Sequence, residues 1–199
     1  MRKRPDLYTN YKSESAIFST LTQKAWFTVL VFTSLLLPFY LNNYWMLLVT
    51  TSLLIAIASW GLNIVSGMAG QINLAHGVFV GIGAYTSAVI GGVATSSVIG
   101  FELDMIFWLP ISGIVSALIG IIISPVSARL KGLNLGLVTL AIVFIGSHFF
   151  SNLKFITGGA GLGRKAAKLK FLGVDLDSGL TIGNLILEKN DVIYYFSLI

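Results

Sequence analysis

WMLLVTTSLLIAIASWGLNIVSGMAGQINLAHGVFVGIGAYTSAVIGGVA, residues 45–94, contains no Asp, Glu, Lys or Arg. Its two apolar parts, roughly Trp45–Val65 and Leu74–Ala94, are each long enough to cross a hydrocarbon core, which takes about 20 apolar residues. Between them SGMAGQINLAHG, residues 66–77, gathers glycines, a glutamine, an asparagine and a histidine, again without a formal charge. Helix interiors rarely hold so much glycine and amide, and loops between membrane helices usually carry charge. The reading of this segment sets how often the stretch crosses, and so the side on which everything after it lies.

The same character extends outward. No charged residue occurs from Ala25 to Phe101, nor over Met105–Ala128 or Gly132–Leu153. Only 11% of the chain is charged and 55% is hydrophobic, whereas a soluble domain carries about a quarter charged residues. The sequence predicts an all-α, polytopic helical membrane protein with about five full transmembrane helices and the start of a sixth. Residues 1–24 form a cytoplasmic N-terminal tail. Residues 25–199 form the transmembrane domain, including a long extramembrane loop at 151–191. The net charge of +5 sits in the tail and loops, which suits membrane flanks rather than nucleic acid.

The expected helices are Ala25–Leu41, Trp45–Val65, Leu74–Ala94, Ile106–Val126 and Leu133–Phe150. Asn42, Asn43 and Tyr44 form a tight turn, and Thr95–Met105 and Ser127–Gly132 are loops. Val192–Ile199 begins a further apolar stretch. Its eight residues rise about 12 Å, short of a core of roughly 30 Å, so the chain is expected to be truncated there. One tension remains. With the tail inside, five crossings place the 151–191 loop outside, although it carries Lys154, Arg164, Lys165, Lys168, Lys170 and Lys189. The positive-inside rule favours the reverse, which needs an odd number of crossings over 45–94. Spaced small residues, Gly77/Gly81, Gly132/Gly136, Gly113/Ala117 and Ser116/Gly120, predict close helix contacts.

Two patterns carry no chemistry. GGAGLGRK, residues 158–165, has the glycine spacing of a phosphate loop, but Arg164 and Lys165 stand where Lys and a hydroxyl residue are required. His76 and His148 lack carboxylates or cysteines nearby, so no catalytic residue and no metal site is predicted. The break at 66–77 is different. Non-helical backbone at membrane depth is tolerated only against protein or a water-filled cavity, and interrupted helices often form transporter substrate sites. The alternative is a short cytoplasmic turn that lacks charge.

The string GLNIVSGMAGQINLAHGVFVGIGAYTSAV, residues 61–89, resembles the signature region of bacterial branched-chain amino-acid ABC permeases of the LivH/LivM family. Gly61, Leu62, Asn63, Gly67, Gly70, Gln71, His76, Phe79, Gly83, Ala84 and Tyr85 fit that pattern in order. RLKGLNLGLVTLA (129–141) and TGGAGL (157–162) resemble two further family blocks. The match is on the LivM-like side, while INLAHG is nearer the LivH-like partner.

The resemblance implies a permease subunit that passes leucine, isoleucine or valine across the bacterial inner membrane, with its N-terminus cytoplasmic. The expected substrate path comprises Asn63, Gly67, Gly70, Gln71, Asn73, His76, Gly77 and Tyr85. Thr157, Gly158, Gly159 and Gly161 form an expected docking loop on the periplasmic face. Implied partners are a second, LivH-like permease subunit, two cytoplasmic ATPase subunits, a periplasmic amino-acid-binding protein and membrane lipid. ATP is used by those ATPases, so this subunit has no cofactor and is not an enzyme. A same-family permease for urea or short amides is the alternative substrate reading. An ion-coupled carrier or channel is the alternative class, demoted because intramembrane carboxylates are missing from the expected helices. A membrane scaffold without transport is a third reading, against which the polar break argues. The resemblance is expected to span about two-thirds of a family member, and the chain alone is expected not to couple ATP hydrolysis to transport.

Overall fold

A computed structural model describes residues 20–130, 132–159, 163–182 and 185–198. Most of the N-terminal tail, together with Lys131 and Gly161, lies outside the described residues. The chain divides into two compact units, residues 1–47 and 48–199.

The first unit contains α1, Leu21–Tyr40. It begins four residues before the uncharged run because Gln23 closes its first turn, its side-chain oxygen accepting from the Thr20 N–H (3.3 Å). Such reciprocal capping holds a helix start that hydropathy does not register. α2 is Asn43–Asn63. The expected turn at 42–44 is therefore shorter, since Asn43 and Tyr44 already belong to the helix.

The second unit holds the rest of α2, then α3 (His76–Gly91), α4 (Met105–Ala128), α5 (Leu133–Asn152) and the short α6 (Lys154–Thr157). Two antiparallel hairpins follow, β1 (Lys170–Phe171) with β2 (Val174–Asp175) and β3 (Leu180–Ile182) with β4 (Leu185–Leu187). The final helix, α7, is Lys189–Leu198. The 151–191 segment is thus partly ordered into hairpins, and its last helix starts three residues before the expected apolar stretch. Among the described residues four helices, Leu21–Tyr40, Asn43–Met68, Met105–Ala128 and Leu133–Asn152, are long and apolar enough to span a membrane.

α3 is the exception. Its 16 residues rise about 24 Å, less than the core thickness, where 21 residues were expected. The loop after it folds back and satisfies its last carbonyls. Phe101 N–H donates to Val89 (3.0 Å), Leu103 to Ile90 (2.9 Å), Lys168 to Gly91 (3.1 Å) and Glu102 to Gly92 (3.2 Å). With those acceptors taken, the chain leaves the helix at Gly92 in extended geometry.

α3 and α4 pack antiparallel. The Ser116 hydroxyl donates to the Phe79 carbonyl (3.3 Å), Gly120 lies against the Phe79 ring, and a Cβ on Gly83 would sit 3.2 Å from Ser116 Oγ. The Ser116/Gly120 pair is therefore a contact face. Gly77 and Gly113 have nothing within 4 Å of a Cβ among the described residues, and Gly132 serves a turn with φ of +59°. Spacing identifies a face of small residues but not which face meets a neighbour.

Candidate functional site

Between α2 and α3 the backbone leaves helical geometry in two steps. The end of α2 widens into a π-turn, Ile64–Met68, a feature that concentrates at functional sites. Ala69 N–H donates to Ile64 (3.2 Å) and Gln71 N–H to Val65 (3.2 Å). Gly70 then adopts φ of +63°, a left-handed geometry open to glycine.

The non-helical segment is anchored on both sides. Leu74 N–H donates to the Thr139 hydroxyl (3.2 Å), which in turn donates to the Gly136 carbonyl (2.9 Å). Ile72 packs on Gly136, where a Cβ would lie 3.6 Å from its methyl. The Asn73 side-chain oxygen accepts from Ala75 N–H (3.0 Å), holding a turn just ahead of α3. His76 reaches back to α2, its Nε2 donating to the Ala58 carbonyl at 2.8 Å. A carbonyl can only accept, so Nε2 carries the proton in that contact. Thr139 lies six residues into α5, about 9 Å from the helix start. The break therefore sits inside the helix layer, beyond its rim. Replacing Thr139 by Val should cost about 1–3 kcal/mol, because the Leu74 N–H loses its acceptor, whereas Thr139→Ser should retain most of the stability. Thermal unfolding midpoints in mild detergent check this; a Val variant equal to wild type would contradict it.

Two spaces adjoin the break. A cavity of about 370 Å³ lies between the break, α4 and α5, and Gln71, Asn73 and His76 face it with Ser124, Ser127 and Thr139. The Gln71 side-chain amide has no hydrogen-bond partner among the described residues. The cavity reaches Gly120, eight residues before the end of α4. A second space, a groove of about 590 Å³, runs from Leu74 and Gly77 past Tyr85, Ser147 and Ser151 to Gly159 and Gly163. It joins the break to the opposite end of the second unit along α3 and α5. These helices run parallel: Val78 packs on Gly146 and Phe150 on Gly81.

The expected path residues are thus divided. Gln71, Asn73 and His76 face the cavity, and Gly77 and Tyr85 face the groove. Asn63, Gly67 and Gly70 are exposed and line neither space. The Asn63 amide lies over Gly67, leaving no room for a Cβ there. Ser147 and Ser151 escaped the sequence reading, although hydroxyls four residues apart on an apolar helix share a face. Thr139 lies in the quoted 129–141 block without having been singled out.

At the far end, Thr157 is buried. Its hydroxyl faces the Phe150 and Leu153 carbonyls (2.7 and 3.0 Å) and accepts from Gly159 N–H (3.1 Å). Gly158 and Gly159 follow with φ of +83° and +78°, so Thr157–Gly159 is a backbone corner. Arg164 reaches across, its Nη1 donating to the Ile156 carbonyl (2.9 Å) and its Nη2 to that of Ile99. Partial burial lowers the pKa of its guanidinium, yet the group stays charged at physiological pH. The would-be phosphate-loop arginine therefore clasps one backbone carbonyl of α6 and one of the α3–α4 loop.

The sequence model for the permease component of branched-chain amino acid transport systems matches residues 44–186. The high-affinity branched-chain amino acid transport system permease proteins LivM of Salmonella typhimurium and of Escherichia coli are each 32% identical over 143 residues. That match covers 71% of this chain and 32% of each relative, so the expected two-thirds coverage of a family member is too high for these relatives. No solved structure matches significantly.

Proposed function

This chain belongs to the branched-chain amino acid transport permease family, and from that premise we propose that its α3–α5 groove conducts leucine, isoleucine or valine inward across the bacterial inner membrane. The subunit works within an ABC importer, beside a second, LivH-like permease subunit. Two cytoplasmic ATPase subunits hydrolyse ATP, and this subunit contributes no cofactor or hydrolytic group. A periplasmic amino-acid-binding protein delivers substrate at the end that carries Thr157, Gly158 and Gly159, while the break and the N-terminus lie on the cytoplasmic side. Buried Thr157 shapes that delivery end from beneath.

The observation that carries this reading is the pairing of two unlike spaces. The groove is lined by the hydroxyl-bearing residues Ser147, Ser151 and Tyr85 together with Gly77, Gly159 and Gly163. Beside it, an apolar cavity of about 540 Å³ is lined by residues that include Ile82, Val115, Ile119, Ile142 and Ile145. A charged head with a branched aliphatic side chain is complementary to both, and urea only to the first. Binding sites of this kind are mostly apolar with a few placed polar groups.

Uptake measurements test the reading. In cells that lack their own branched-chain uptake, a full-length family permease carrying these residues, expressed with its partner subunits, should restore accumulation of labelled leucine, with excess valine competing and excess urea not. Urea uptake without leucine uptake would overturn it.

A further inference from the structure

Among the described residues, the groove and the apolar cavity share a wall of three side chains, Val78, Tyr85 and Phe150. Two of them are seated in glycine notches on the facing helix. The Val78 methyls press on Gly146, where a Cβ would lie 2.6 Å away, and the Phe150 ring presses on Gly81, where a Cβ would lie 2.9 Å away. Tyr85 completes the wall, its ring centroid 4.9 Å from that of Phe150 at an interplanar angle of 39°. Neither wall contact is polar, so nothing but packing holds Phe150 across the opening. The ring can leave this seat only by turning about its χ1 and χ2 bonds.

We propose that Phe150 is a specificity-determining residue: its ring, seated on Gly81, separates the polar groove from the aliphatic cavity and sets which side chains pass between them. The inference rests on the transport reading above. A substrate held by its charged groups near Ser147 and Ser151 places its side chain against this ring. A branched aliphatic group displaces the ring and gains the Val- and Ile-lined cavity, while a methyl group is too short to gain it. Gly81 sets the seat, because any Cβ there expels the ring from its notch.

The test compares substrates rather than activity alone. Initial uptake of labelled leucine, alanine and phenylalanine is measured for the wild type, Phe150→Ala and Gly81→Ala, expressed with the partner subunits and normalised to membrane abundance. An apolar pocket discriminates by about ten- to two-hundredfold per methylene at best. Phe150→Ala should raise phenylalanine uptake relative to leucine about tenfold or more, because the opening no longer has a ring to limit it. Gly81→Ala should lower leucine relative to alanine by a similar factor, because the expelled ring occupies cavity space. Should Phe150→Ala be absent from the membrane, Phe150→Leu should give a smaller shift in the same direction. Variants in which all three substrates fall by one common factor would overturn the inference and leave a structural role for the ring. A wild-type chain that moves leucine while the ratios stay fixed defeats this inference alone; one that moves no amino acid defeats the transport reading with it.

Discussion

Gly158→Ala is expected to destabilise the protein by about 2–4 kcal/mol, while Gly163→Ala costs only about 1–2 kcal/mol. Both glycines have positive φ, +83° and +64°, and the left-handed region costs an L-residue roughly 1–2 kcal/mol. They differ in their surroundings. A Cβ on Gly158 would run into the Gly163 carbonyl oxygen, and the Gly163 carbonyl carbon lies at 2.8 Å. Those atoms are backbone and cannot rotate aside. Gly163 has nothing within 4 Å of its own Cβ position among the described residues. For a domain of this size each kcal/mol corresponds to roughly 2–4 °C in the unfolding midpoint. Gly158→Ala should therefore unfold about 4–16 °C below the wild type in detergent, and Gly163→Ala distinctly closer to it. Equal shifts would mean that handedness alone matters at this corner. Because Arg164 joins the corner to Ile99, the damage should extend to the α3–α4 loop.

Gln71→Leu should reduce uptake tenfold or more while leaving membrane abundance and thermal stability nearly unchanged. The two outcomes separate because Gln71 holds the break through its backbone, not its side chain. Its N–H bonds to the Val65 carbonyl, and leucine retains that bond. Its side-chain amide faces the 370 Å³ cavity with Asn73, His76 and Ser124. A site arranged to hydrogen-bond a polar group discriminates strongly when that partner is missing. Asn73 should behave differently, since its side chain also holds the turn ahead of α3 through Ala75 N–H. Asn73→Ala should lower stability by about 1 kcal/mol, the net worth of one hydrogen bond, along with uptake. Membrane abundance and initial rates, measured side by side, check the contrast; full uptake by Gln71→Leu would remove the amide from the path.

The uncharged runs made the class of fold legible, and the glycine and amide residues at 66–77 located the break. What they left out was the position of each helix end. Leu74 and Ala75 are apolar and read as helix, yet they remain outside α3 because Asn73 takes the Ala75 N–H and Thr139 takes that of Leu74. Hydropathy records the cost of exposing a side chain to lipid and is blind to where a backbone N–H finds its partner. The role of Arg164 is hidden for the same reason, since its carbonyl acceptors come from residues 8 and 65 positions away. Asn63 and Gly67 fit the family pattern, but local packing at the π-turn brings them together on an exposed face. The candidate path was legible as a segment, and its division into a cavity and a groove depended on α4 and α5, which no local pattern predicts.

The central claim is that the break and the α3–α5 groove form a water-accessible route through a chain otherwise covered by lipid. The protein contains no cysteine, so single cysteines can be introduced and labelled without background. Rates of modification by a small, charged, thiol-specific reagent are to be measured at Gly77, Ser147 and Ser151 in the groove and at Leu118, Ile122 and Phe144, exposed apolar positions on α4 and α5. Groove cysteines should react more than about tenfold faster, because the reagent needs water to reach the thiol and a thiol in apolar surroundings stays protonated and inert, and excess leucine should slow them. Groove cysteines no more reactive than those facing lipid would contradict the claim.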